Sequence, residues 1–231
     1  MQELYGVNLS NVIDRDSALH LSNLHIERCA FYNCVLSASR HPDLRTRISD
    51  STLLNCEADN CNVFNVALTN VRVENLKTGE DPLFVWGAKF SSVTLAGNFD
   101  RLVINSRVNP PAISIGDPEE FRKANTFHGP SDWALDLSDV HALELTLRGI
   151  PARRVRIDQR TQAVVRRSMV PSHNKWRSAC DGTWWDRTIG AMMNSDHDDV
   201  VLVTPRLRPD ADIFIRSIEK LRSLGIADPA K

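Results

Sequence analysis

Residues Ser51 to Asn75 read STLLN, CEADN, CNVFN, VALTN and VRVEN, five five-residue units in unbroken succession. The first and third residue of each unit are apolar or Cys, with Ser51 the one exception. Side chains alternate faces along a strand, so positions one and three of a pentad point the same way. The two residues left over turn the chain before the next short strand. A helix of 3.6 residues per turn cannot hold this pattern on one face, because a step of five walks around it.

The frame extends outward in both directions. It runs as LHLSN, LHIER, CAFYN and CVLSA over 19–38 and appears earlier as VNLSN at 7–11. Later it returns as LFVWG, AKFSS and VTLAG over 83–97, as LVINS at 102–106, and as LDLSD, VHALE, LTLRG, IPARR and VRIDQ over 135–159. Of the 38 residues at positions one and three of these 19 pentads, all but Ser51 are apolar or Cys; of the 57 at the other positions, 12 are apolar. Position five is Asn in eight pentads and Gly in three, residues that tolerate left-handed corners. A period this regular signals a solenoid in which each turn stacks on the last.

On these residues the sequence resembles the pentapeptide-repeat family over roughly 7–159. The resemblance implies a mainly β fold, a right-handed quadrilateral β-helix with four pentads per coil. The family favours Asp or Asn at position two. Asn8, Asn62 and Asp136 fit that preference here, whereas His20, His25, Ala30, Val35 and Arg72 depart from it.

The expected organisation is a β-helix over 1–159, interrupted at 39–50 and 107–134, followed by a small C-terminal α/β cap over 160–231. Within the second interruption, Asp117-Pro-Glu-Glu-Phe-Arg-Lys reads as a short helix, Ala112–Gly116 as a degenerate side and 125–132 as loop. In the tail, Thr183–Asn194 and Asp210–Leu224 read as helices, the latter with Ile213, Phe214, Ile218, Leu221 and Leu224 on one face, an Asp cap and Gly225 at its end. Val200–Thr204 reads as a buried strand. A tail this short is expected to lack a core of its own.

Setting 19–23 as side one makes 39–50 a corner loop and returns the chain to side one at 51–55. On that register Tyr32, Phe64 and Trp86 stack at the outward position four of side three. Such a stripe is either covered by the C-terminal segment or is a strip for a binding partner. Arg153, Arg154 and Arg156, with Arg160, Arg166 and Arg167, gather near the last coil, either as a patch for anions or acidic partners or as a solvated rim.

Five Cys is an odd number, and Cys29, Cys34, Cys56 and Cys61 all fall at inward position one, where a small hydrophobe explains them better than zinc. Cys180, with His173 and His197 in the same segment, is a thin basis for a nucleophile pair. Asp196-His197-Asp198-Asp199 reads as a solvated turn rather than an ion site. No catalytic residue, metal or cofactor is assigned.

Net charge is −1. Residues 1–159 carry 16 Lys+Arg against 20 Asp+Glu (−4), and 160–231 carry 12 against 9 (+3), so bulk charge does not point to nucleic acid. No apolar run is long enough to span a membrane, and the first residues lack a secretory pattern, so the expected compartment is the cytoplasm. The leading functional expectation is a non-catalytic protein-binding module with an unidentified protein partner. One alternative is protection of DNA gyrase or topoisomerase by DNA mimicry, the best-known role in the family, which wants a strongly acidic rod. The other is an enzyme with a cleft between rod and tail. The chain is expected to be monomeric, or dimeric through its C-terminal segment.

Overall fold

A computed structural model of the chain describes residues 1–108, 118–125 and 133–229. It is mainly β, built around one large parallel sheet. The chain comes back beside itself every four pentads: Arg47–Ser49 pair with Ala67–Thr69, Ser51–Leu54 with Val71–Glu74, and Cys56 with Leu76, each partner 20 residues on (47 to 67, 51 to 71, 56 to 76). Where loops intervene the offset grows, from His25 to Thr52 and from Val93 to Leu135, yet inward residues stay over inward residues. This ladder is compatible with a β-helix-like solenoid.

Corners fall where position five predicts them. Asn11, Asn23, Asn33, Asn55, Asn60, Asn65, Asn70 and Asn75 all take positive φ, between 49° and 57°. Asn side chains also stack from coil to coil: Asn60 donates to Asn33 Oδ1 at 2.7 Å and Asn75 to Asn55 Oδ1 at 3.0 Å. Gly97 continues that last column because a Cβ there would lie 2.2 Å from Asn75 Oδ1.

The side assignment is corrected by the register. Arg47, Ile48 and Ser49 pair with His20, Leu21 and Ser22, so 46–50 is the side-one pentad TRISD, and 51–55 belongs to side two with 24–28. The loop is therefore shorter than 39–50. Thr46 hides the pentad because a polar residue stands at position one. It is fully buried, nearly isosteric with Val, and its hydroxyl donates to Asp14 Oδ2 at 2.5 Å. Leu76 then falls on side three with Cys56, and 83–87 on side four with 61–65.

The helix over the second interruption is present as α1, Pro118–Ala124. It lies at the corner between sides four and one, where Asn125 donates to Gly87 O at 2.8 Å and Lys89 Nζ to Ala124 O at 2.9 Å. The expected side at Ala112–Gly116 and most of the 125–132 loop lie outside the described residues.

The tail contains α2, Trp185–Met193, and α3, Ala211–Ser223. It also contains an antiparallel pair that sequence reading half missed, Gln162–Arg166 against Asp199–Val203. The pair has two faces. Val164, Val201 and Val203 join the apolar interior of the rod, whereas Ala163, Val165, Val200 and Leu202 join a second cluster with Trp176, Trp185, Ile189, Phe214, Ile218 and Leu221. The tail thus has a core of its own, contrary to expectation, because alternation in one antiparallel pair serves two interiors at once. On the apolar face of α3, Phe214, Ile218 and Leu221 are used up in that core, whereas Ile213 is half-buried outside it and Leu224, just past the helix, is exposed. Asp210 does not cap α3 with its side chain; it accepts from Arg208 Nε at 2.7 Å. The tail is fixed to the rod where Gln162 Nε2 donates to Leu137 O at 2.8 Å and Leu207 N to Ala142 O at 3.1 Å.

Candidate binding cleft

Two of the three expected stripe residues come together. Trp86 pairs in register with Phe64 on side four, and Phe84 stacks on Trp86 with ring centroids 6.0 Å apart. Tyr32 is one side away, paired with Asp59 and Ser10 on side three. The stripe was a product of the misplaced loop. Phe64 is buried against Ala38 and Val35, beside Trp86, rather than by the tail.

Further along side four, outward residues of the last coils meet the tail across a cleft of about 370 Å3. One wall is the rod, with Asn105, Arg107, Glu144, Thr146 and Arg148; the other is α2 and the turn after it, with Trp184, Arg187, Thr188 and His197. Arg148 reaches this wall as position four of the LTLRG pentad, and Thr146 as position two. Asn105 is buried, and its Oδ1 accepts the Arg107 N–H at 3.0 Å, which leaves its amide as a further donor.

The α2 wall is positioned by Arg167. Its guanidinium donates to the carbonyls of Met192, Met193, Ser195 and His197, all between 2.6 and 2.8 Å. Carbonyls at a helix C-terminus lack intrahelical partners and carry partial negative charge, so the half-buried Arg167 cation there fixes the helix end. His197 is brought over Gly149, where a Cβ would stand 2.7 Å from its Nε2. Trp184 is held from behind by Phe214, centroid to centroid 4.4 Å, and by Arg208, 5.5 Å from its ring.

The charges in the cleft sort into engaged and free. Arg107 contacts Asp196 Oδ1 at 3.2 Å. Asp199 accepts the Ala152 N–H at 2.9 Å, whereas Glu144 on the rod wall has no hydrogen bond or ion pair among the described residues. The side chains of Arg148 and Arg187 have no hydrogen bond or ion pair among the described residues. Two uncommitted guanidiniums beside an indole, with hydroxyl and amide donors around them, make a site that favours a carboxylate or another anion.

The expected arginine patch is largely spent on its own neighbours. Arg156 lies 4.4 Å over the Trp133 ring and 3.8 Å from Asp136, Arg166 binds Asp228 at 2.6 Å, and Arg160 pairs with Asp158. Arg153 is exposed, and Arg154 accepts the Ala134 N–H through its carbonyl. The acidic turn diverges: Asp196 goes to Arg107, Asp199 to the Ala152 backbone, and Asp198 stays exposed. Cys180 is buried in the tail core and outside the cleft that His197 lines, with burial pushing its thiol up to about 11. The four repeat cysteines point inward, and their thiols donate to nearby carbonyls, such as Cys56 to Leu54 O at 3.2 Å.

Sequence reading missed Arg148 and Arg187. With the correct register, Arg148 was readable as an outward side-four residue two coils beyond Trp86. Nothing in the sequence announces that Arg187 faces it. No protein-family model matches the chain, and no curated protein matches it.

Proposed function

We propose that this chain is a right-handed, four-sided β-helix of pentapeptide repeats, closed at its C-terminal end by residues 160–231, and that it works as a non-catalytic protein-binding module. The 20-residue register, the left-handed Asn corners and the two-faced strand pair of the tail support the architecture. The right-handed sense follows the general preference of parallel crossover connections. Its recognition site is the side-four cleft, and its partner presents an acidic segment.

The observation that carries this reading is the pair of uncommitted guanidiniums, Arg148 and Arg187, facing one cleft beside Trp184. The volume suits a few residues of an inserted chain. Binding is favoured over catalysis because the one thiol of the tail is held neutral away from the cleft, and Asp199 is committed to backbone. DNA mimicry asks for an acidic face, and this cleft offers the opposite sign.

The test is fluorescence polarisation with a labelled hexaglutamate peptide. Micromolar binding that weakens as salt rises is expected, with at least tenfold loss in the Arg148→Gln/Arg187→Gln variant. Equal binding by both proteins, or none by wild type at low salt, would reject the cleft as the recognition site.

A further inference from the structure

The two ends of the rod are treated differently. At the end away from the tail, inward-pointing residues of the opening coils remain in solvent: Leu4 is 40% exposed, Leu9 37%, Val12 47% and Leu19 44%. Met1, Tyr5 and Ile13 flank them, so seven of the nine exposed large hydrophobics of the described chain ring this one end. A cavity of about 460 Å3 runs inward from this rim, from Leu9 and Val12 to Phe99 and Ile104. The strands of this coil, Gln2–Tyr5 and Asn8–Ser10, have partners on one side only, Leu24–Glu27 and Ala30–Tyr32. A flat, unpaired and apolar strand edge invites another edge.

We propose that this end is a self-association surface, and that its occupant is the same end of a second copy of this chain. Three features select that occupant. The rim is a multi-sided strand edge, and an identical edge turned over by a two-fold axis matches its outline and supplies antiparallel strands to pair with. The tail occupies the other end of the rod, so head-to-tail stacking is blocked and contact between like ends closes at two copies. Charge does not oppose the contact: in residues 1–18, Asp14 accepts from Ser37 N and Thr46, Asp16 binds Arg40 at 2.6 Å, and Glu3 and Arg15 balance. The exposed area of the seven side chains is on the order of 600 Å2, near the roughly 800 Å2 per partner of a stable interface. This inference does not depend on the cleft, which lies at the opposite end.

Sedimentation equilibrium of the full chain is expected to give twice the 26.0 kDa chain mass at micromolar concentration. Leu9→Lys/Val12→Lys is expected to weaken association at least tenfold while circular dichroism stays unchanged. Hydrogen exchange on the wild type needs no variant: amides of residues 2–10 should gain protection as concentration rises. A monomer across that range would overturn the proposal, and so would a dimer whose formation leaves those amides unprotected. A monomer that carries a co-purified acyl chain by native mass spectrometry would likewise overturn it, and would give the rim to a lipid.

Discussion

Leu137 and Leu9 occupy the same inward position three of a pentad, yet Leu137 is fully buried and Leu9 is 37% exposed. Nothing in their own pentads, LDLSD and VNLSN, separates them. The difference is what lies next along the rod: the Val155–Gln159 pentad and then the tail beyond Leu137, and among the described residues no further coil beyond Leu9. In a stack of repeats each unit contacts only its neighbours, so burial belongs to the position in the stack as much as to the residue. The covered end and the open end are therefore a matched experiment within one molecule.

The largest effects should separate the two ends. Leu137→Ala should cost about 3–5 kcal/mol in urea unfolding, since the cavity it leaves is closed on every side. Leu9→Ala should cost about 1 kcal/mol or less in dilute solution, because solvent already reaches the site. Equal costs would mean that the open end is covered by something in solution, and a Leu9 effect that grows with protein concentration would identify that cover as a second copy.

Arg167 tests what holds the covered end together. Arg167→Ala leaves the last carbonyls of α2 without their donor, and a loss of about 2–3 kcal/mol is expected. The same variant should weaken hexaglutamate binding, since Arg187 rides on α2. Stability lost with binding intact would break the link between the helix clamp and the cleft.

Cys180 reports how dry that end is. Its thiol is raised to about 11 by burial, whereas an unfolded thiol ionises near pH 8.5. A raised acid favours the neutral form in the fold, so its contribution is full below about pH 8.5 and lost as pH climbs toward 11. The expected loss from this group approaches 3 kcal/mol at the upper limit of that window. Correspondingly, Cys180 should resist alkylation at pH 8 until the tail unfolds, while Cys34, half-buried near the open end, reacts first.

How much of this was legible follows from which residues carry it. The pentad period needs only local alternation and Asn corners, so it stood in the sequence. Register did not, because Thr46 broke the apolar rule at one position and shifted every later side by one. The cleft was hidden for a related reason. Arg148 belongs to the repeat and Arg187 to α2, and their meeting depends on how the tail docks, which no local pattern encodes. The tail core was hidden because Ala163 and Val165 lie in a stretch too short to announce a strand by itself, and only their pairing with 199–203 gives them one.

The smallest difference concerns the corners. Asn11 and Asn75 both sit at position five with φ of 57° and 55°, and Ala at either place should cost about 1–2 kcal/mol for the left-handed backbone alone. Asn75 does more: it donates to Asn55 Oδ1 at 3.0 Å, and its Oδ1 accepts the Asn98 N–H at 2.8 Å, while the Asn11 side chain has no partner among the described residues. Asn75→Ala should therefore exceed Asn11→Ala by roughly 1 kcal/mol in monomer unfolding, the net worth of the stacked amide bonds. If the two costs are equal, the Asn columns add nothing beyond conformation, and the corners rather than the ladders between them hold the coils in register. If the gap closes only at high concentration, Asn11 has found in a second copy the stack that Asn75 finds in the next coil.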